Sequence, residues 1–79
     1  MQRYFVDFYD GFDGWCGPPT PEIAALYADR LFDDLDAAKI RCDELQAGLD
    51  QNNKDFGEHY SVVELDISGR WALEAYRGH

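Results

Sequence analysis

The sequence predicts a single α+β domain over residues 1–79, in which a three-stranded antiparallel sheet packs on one main helix, plus a short extra helical segment. The chain has 79 residues, which is enough for one domain. Its hydrophobic content of 46% and aromatic content of 15% are typical of a globular protein. Apolar residues recur at helical spacing in the middle of the chain and alternate near both ends. This arrangement predicts the order β-α-β-β.

The first strand is predicted over Arg3 to Tyr9, where aromatic and β-branched residues are concentrated. Both faces of this strand carry apolar side chains, which favours a central position in the sheet. Three glycines and two prolines then follow within residues 11–19 and predict a loop. Trp15 in this loop is expected to fold back as a lid on the sheet.

A helical signal runs between Thr20 and Asp50, where Pro21 at the start is the only proline and Gly48 the only glycine. Thr20 is suited to cap its start. The apolar residues at three- and four-residue spacing are Ala24, Tyr27, Ala28, Leu31, Leu35, Ala38, Cys42, Leu45 and Leu49. An unbroken helix of about 30 residues would be about 45 Å long, which exceeds a domain of this size. We therefore expect a break near Phe32–Asp34, with Asp33 as a second N-cap and the main helix running from Asp34 to about Leu49.

A hairpin is predicted at the end of the chain, after a polar loop at residues 50–57. Tyr60 to Asp66 and Arg70 to Tyr76 both alternate. A three-residue loop at 67–69 would pair Leu65 with Trp71 and Val63 with Leu73, and would set Asp66 opposite Arg70. It would also place Gly69 at the left-handed position that such loops prefer.

The strand pattern also predicts which residues form the core. The expected core is Val6, Phe8, Leu35, Ala38, Cys42, Leu45, Leu49, Val63, Leu65, Trp71 and Leu73. The apolar residues assigned to the other sheet face are Phe5, Tyr60, Val62 and Tyr76. That face is expected either to pair with a second copy or a partner, or to lie under the short first helical segment.

The charge balance excludes several classes of partner. Sixteen Asp and Glu residues face seven Lys and Arg residues, which gives a formal net charge of −9. Such a chain is not suited to bind nucleic acid directly or to bind an anionic membrane surface. It has no apolar run of the length that a membrane span needs and no secretory signal, so the expected location is the cytoplasm of a bacterial host cell. Cys16 and Cys42 are expected to be reduced thiols, with Cys42 buried in the core.

Catalytic motifs are missing from the sequence, so we expect that the protein is not an enzyme and has no cofactor or metal. His59 and His79 are its two histidines, and neither belongs to a spaced set of zinc ligands. Asp7, Asp10 and Asp13 are spaced by three, whereas a calcium loop of the EF-hand type needs ligands at alternate positions. A glycine-rich turn with solvated aspartates is the expected structure there.

The strongest functional signal is acidic. On a continuous helix, six carboxylates would fall within about a third of the circumference, opposite the apolar stripe. They are Glu22, Asp29, Asp33, Asp36, Asp43 and Glu44. Neighbours one turn apart would be about 5–6 Å apart, which is comparable to the phosphate spacing of a nucleic-acid strand. The predicted partner-binding residues are Asp29, Asp33, Asp34, Asp36, Asp43 and Glu44. The simpler interpretation is a solubilising surface.

In size, charge and strand–helix–hairpin layout, the whole chain resembles the small acidic anti-CRISPR proteins of bacteriophages. The stretches Phe32 to Ala38 and His59 to Val63 are also similar to small phage and bacterial proteins. The resemblance implies an inhibitor that binds the basic surface of a CRISPR effector complex and blocks target DNA. The alternative is a small structural or homo-oligomerising protein, with a homodimer formed through Phe5, Tyr60, Val62 and Tyr76.

Overall fold

The computed structural model describes residues 3–9, 22 and 25–78. Its strands are β1 (Tyr4–Tyr9), β2 (Leu31–Phe32), β3 (His59–Leu65) and β4 (Trp71–Arg77). Its helices are a 3₁₀ segment (Ala25–Arg30), α1 (Leu35–Ala47) and α2 (Gln51–Asp55). The four strands form one antiparallel sheet in the order β2-β1-β3-β4. The α+β class and the central position of β1 are confirmed, and the sheet has one strand more than predicted.

The extra strand explains why the helical pattern breaks where it does. Leu31 and Phe32 adopt an extended conformation and pair with Phe5 and Tyr4 of β1. The Arg3 amide adds a hydrogen bond to the Phe32 carbonyl at 3.0 Å. The break near Phe32–Asp34 is therefore confirmed. The N-cap of α1 is Asp34, however, and not Asp33, because the Asp34 carboxylate accepts the Ala37 amide at 3.0 Å.

The segments on either side of α1 differ from their predictions. Residues 25–30 form a 3₁₀ helix that is interrupted at Tyr27, where φ is −117° and ψ is 56°. The apolar stripe therefore does not continue back from α1, and Tyr27 and Ala28 are exposed. Residues 51–55 form the short helix α2, where the polar composition predicted a loop. The predicted loop at 11–19 and the Thr20 cap lie outside the described residues, as does Trp15.

The hairpin between β3 and β4 follows the predicted register at its turn. Leu65 pairs with Trp71, the Asp66 amide donates to the Arg70 carbonyl at 2.8 Å, and Gly69 has φ of +86°. The register then shifts twice, so that Val63 pairs with Glu74 and not with Leu73 as predicted. Each shift leaves β4 with one residue more than β3, which is a β-bulge. Strict alternation along β4 does not hold for this reason.

The core lies on both faces of the sheet. On the face that packs on α1, the buried cluster is Val6, Ala38, Cys42 and Val62. On the opposite face, here called the distal face, the buried cluster is Phe5, Leu31, Val63 and Trp71, with Leu65 packed against it. The 3₁₀ segment contributes to the distal layer, since the Tyr27 ring lies 6.1 Å from the Phe5 ring.

This division corrects the predicted core. Val63, Leu65 and Trp71 were expected to share a face with Val6, but Val6 is opposite Val62 and Phe5 is opposite Val63. Directly opposed residues of antiparallel strands point to the same face, so the two sets separate. Phe8 and Leu49 are half-buried, and the side chain of Leu73 lies outside the described part.

The predicted oligomer surface is not formed either. Phe5 and Val62 are 1% and 0% exposed within the chain itself, and they lie on opposite faces of the sheet. Tyr60 and Tyr76 pack against the α1-facing cluster. A homodimer through Phe5, Tyr60, Val62 and Tyr76 therefore has no common exposed surface to use.

Candidate functional site

The exposed side of α1 is the surface to which the sequence assigned binding. Ala38, Cys42 and Gln46 of this helix are buried against the sheet. On the opposite side Asp36, Ile40 and Glu44 are exposed, and their four-residue spacing places them one turn apart in a row. We call Asp36, Ile40 and Glu44, together with Asp33 just before the helix, the outer face of α1.

The structure brings some of the six predicted binding residues together and separates others. Asp33, Asp36 and Glu44 belong to the outer face. Asp29 lies in the 3₁₀ segment, so the single stripe expected for a continuous helix is wrong. The strand β2 interrupts the helical path and resets the direction of the chain.

Four of the predicted residues make contacts within the chain, and one of them is Asp34, which caps α1. Arg41 lies between Asp29 and Glu44, with N–O distances of 3.9 Å and 3.7 Å. Both ion pairs are long and solvent-exposed, and pairs of this kind contribute little to stability. Asp43 accepts the Tyr76 hydroxyl at 2.9 Å on each of its carboxylate oxygens.

The contact between Asp43 and Tyr76 fastens α1 to β4. Hydrogen bonding to the Asp43 carboxylate is the main cause that raises the pKa of Tyr76, because ionised Tyr76 would lose this bond. The Lys39 ammonium also lies 5.3 Å from the centre of the Tyr76 ring. Asp43 therefore has a structural role, as does Asp34, which caps α1.

Asp33 and Asp36 are different. Both are exposed, and neither forms a hydrogen bond or ion pair with another described residue. Their charges are not neutralised by a neighbour within this part of the chain. They are therefore the two predicted residues most available to an external partner.

Ile40 is a surface residue that the sequence reasoning did not select. It is 64% exposed in the centre of the outer face, between Asp36 and Glu44. Its position was readable from the sequence, because a residue two places from the buried Cys42 points to the opposite side of a helix. The charge pattern predicted binding by the carboxylates and gave no indication for this apolar side chain.

A second polar region lies at the end of the distal face. Asp7 and Ser61 are directly opposed on β1 and β3, and they are 5% and 0% exposed. Among the described residues, Asp7 Oδ2 and Ser61 Oγ have no hydrogen-bond partner. Burial raises the pKa of Asp7, while the Phe8 amide and the charge of Arg30 act in the opposite direction.

Beside this pair lies a groove of about 480 Å³, lined by Tyr9, Gly57, His59, Glu74 and Arg77. The Tyr9 and His59 rings are 5.0 Å apart. His59 Nδ1 is 3.0 Å from the Gly57 carbonyl oxygen, and Arg77 Nε is 3.5 Å from Glu74 Oε1. The sequence signal for this region was a charged residue, Asp7, inside an otherwise aromatic and β-branched strand.

Among the described residues, the Cys42 thiol is closed to solvent. Cys42 is a free, fully buried thiol, as predicted, and burial raises its pKa to about 12. Cys16 lies outside the described residues. Within residues 3–9, 22 and 25–78, no cluster of three or more His, Cys, Asp or Glu side chains is placed to hold a metal ion. No helix among the same residues has the length and apolar character to cross a membrane.

Comparison with known proteins gave no relative. No family model matches the chain, and neither a curated protein nor a solved structure matches it.

Proposed function

We propose that the chain is a non-enzymatic inhibitor that acts in the cytoplasm of a bacterial host cell. It binds the basic, nucleic-acid-binding surface of a CRISPR effector complex through the outer face of α1, and so blocks target DNA. The observation that carries the proposal is the pair of exposed carboxylates, Asp33 and Asp36, that have no partner among the described residues.

Electrostatics supports an electropositive partner. The net charge of −9 on 79 residues gives a strongly negative field, which attracts a basic groove and accelerates association. The outer face presents three exposed carboxylates, those of Asp33, Asp36 and Glu44, on and just before α1. The Arg41 pairs with Asp29 and Glu44 are long enough to be exchanged for pairs with Lys or Arg of the partner.

Ile40 adds an apolar contact at the centre of this charged surface. Protein interfaces usually have a desolvated centre surrounded by a polar rim, and a few central residues contribute most of the binding energy. An exposed isoleucine flanked by Asp36 and Glu44 fits this arrangement. The expected partner surface is therefore a shallow apolar site bordered by Lys and Arg.

The test is capture of the purified protein by immobilised CRISPR effector complexes at low and moderate salt, followed by a target-DNA capture assay. We expect binding that weakens with salt and prevents DNA capture. Changing both Asp33 and Asp36 to Lys should weaken binding by at least roughly tenfold, which corresponds to about 1.4 kcal/mol.

The matched control changes Asp50 and Asp55 to Lys. Both are exposed, and the control alters net charge equally but at the N-cap and the last residue of α2. If both double variants lose the same affinity, only net charge matters and the assignment to the outer face is wrong. Binding without loss of DNA capture would contradict DNA blocking, and failure to bind any complex would contradict the proposal as a whole.

A further inference from the structure

A cation of the chain itself lies beside the outer face of α1. The Arg41 guanidinium is 3.7 Å from Glu44 Oε1 and 3.9 Å from Asp29 Oδ2, so one positive charge lies between two carboxylates. Glu44 is one turn further along α1, whereas Asp29 belongs to the 3₁₀ segment. The chain therefore holds a guanidinium at the edge of the surface that is proposed to bind Lys and Arg of a partner.

Both carboxylates remain accessible to a second cation. The side chains of Asp29 and Glu44 are 72% and 60% exposed. Their distances to Arg41 exceed the length of about 2.7–2.9 Å that is typical of a charge-assisted hydrogen bond. Because exposed pairs of this kind are weak, a guanidinium supplied by a partner can replace Arg41 at a small cost in free energy.

Arg41 gives the two ends of the outer face different properties. At one end, Asp33 and Asp36 form no hydrogen bond or ion pair with another described residue. At the other end, Glu44 is already paired with Arg41. A cation that approaches Glu44 meets competition for the carboxylate and also repulsion from the Arg41 charge. Since like charges that meet across an interface weaken binding, Arg41 opposes a basic partner at this end.

We propose that Arg41 is an internal competitor for the outer face, which lowers the affinity of the free protein for a cationic partner and is displaced from Asp29 and Glu44 when that partner binds. Because this role concerns the same surface, it rests on the proposed function. A partner that has no Lys or Arg near Glu44 leaves Arg41 in place and binds through Asp33 and Asp36 only. Arg41 therefore favours partners whose cations reach both ends of the outer face.

A purely structural role for Arg41 predicts the opposite result. As a link between the 3₁₀ segment and α1, Arg41 would hold Asp29 beside the outer face. Loss of such a link would lower the affinity for a cationic partner or leave it unchanged. Loss of a competitor raises the affinity, so the direction of the change separates the two roles.

The test measures the affinity of Arg41→Gln for two probes, a hexa-arginine peptide and the CRISPR effector complex that captures the wild-type protein. Arg77→Gln is the matched control, because Arg77 is also exposed and ion-paired but lies on β4. We expect Arg41→Gln to raise the affinity for each probe about two- to fivefold more than Arg77→Gln does, as the loss of a weak exposed pair predicts. In a Glu44→Gln background the gain should be smaller, since one of the two carboxylates is absent.

NMR of the arginine side chains follows the displacement itself. In the wild-type protein, the peptide should shift the Arg41 Nε–H resonance more than that of Arg77. Equal gains in affinity from Arg41→Gln and Arg77→Gln would overturn the proposal, because only net charge would then matter. A lower affinity of Arg41→Gln would overturn it as well and would indicate the structural role. If no effector complex binds the wild-type protein, the proposed function is contradicted, and the peptide titration alone decides the role of Arg41.

Discussion

At the scale of the residue, Asp7 is the least favourably placed charge that the structure describes. It is 95% buried on β1 (5% exposed), and its Oδ2 has no described partner. Burial raises its pKa above the value of about 3.9 expected in the unfolded chain. The folded state therefore binds the Asp7 proton more tightly than the unfolded state does. The contribution of Asp7 to stability is fully present below the unfolded pKa and is lost as pH rises through the folded pKa.

We expect Asp7→Asn to increase the stability of the protein relative to wild type more at pH 7 than at pH 4. The amide has the shape of the carboxyl group but carries no charge, so it removes the cost of a buried carboxylate at neutral pH. The measurement is the difference in Tm between variant and wild type at several pH values. A difference that does not change with pH would contradict a raised pKa at Asp7.

The burial of some residues can be predicted from the pattern of a single helix. For others it depends on which strand or helix packs beside them. The burial of Cys42 was predictable, because its helix has one apolar stripe. Phe5 and Val62 were assigned to one face because both faces of β1 and β3 are apolar, and only the pairing of Val6 with Val62 decides between them. That Asp7 Oδ2 has no described hydrogen-bond partner was not predictable, since alternation gives a face but not what a side chain meets there.

At the scale of the element, one side chain connects α1 to the sheet through a backbone hydrogen bond. Gln46 is 6% exposed, and its Oε1 accepts the Tyr60 amide of β3 at 2.7 Å. This bond satisfies a strand amide just beyond the last β3–β4 pair, Ser61 with Arg77, next to the Gly78 amide that bonds the Tyr60 carbonyl at 2.8 Å. The helix thus contributes a ladder-like hydrogen bond as well as apolar packing.

We expect Gln46→Leu to lower the free energy of unfolding by about 1–3 kcal/mol, because it leaves the part-buried Tyr60 amide without its acceptor. The measurement is urea denaturation, with Gln51→Leu as the control. Gln51 is exposed, and its one hydrogen bond to a described side chain is to Asp55 of its own helix. Its replacement should therefore change stability by no more than about 0.5 kcal/mol. Equal effects of the two substitutions would show that the Gln46 contact does not stabilise α1 on the sheet.

Helix ends and turns were predicted correctly where the sequence has residues typical of helix caps and turns. The hairpin turn was readable from Asp66 and Gly69, and the helix break from the acidic residues after Phe32. The strand β2 could not be predicted from the sequence, because two residues are too few to show alternation. Its extended conformation depends on pairing with Tyr4 and Phe5, which are distant in the sequence. The β-bulges of β4 could not be predicted for the same reason, since they are defined by the pairing of β4 with β3.

At the scale of the whole molecule, the dominant feature is unbalanced negative charge. The three ion pairs among the described residues have N–O distances of 3.5–3.9 Å and are exposed, so they offset little of the repulsion. The apolar clusters on the two faces of the sheet must therefore stabilise the fold against this repulsion. The sequence arithmetic predicted this excess directly, whereas its distribution required the fold, which places Asp33, Asp36 and Glu44 around Ile40.

A chain stabilised against its own repulsion should become more stable as salt screens that repulsion. We expect the urea midpoint to rise when NaCl increases from about 20 mM to about 300 mM, because the screening length falls from about 20 Å to about 6 Å. Changing Asp33 and Asp36 to Asn should make the response to salt smaller, since both charges lack a described partner that screening would weaken. A midpoint that falls with salt would mean that specific ion pairs outweigh the repulsion. It would also remove the physical reason for expecting the exposed carboxylates on the outer face of α1 to bind an electropositive partner.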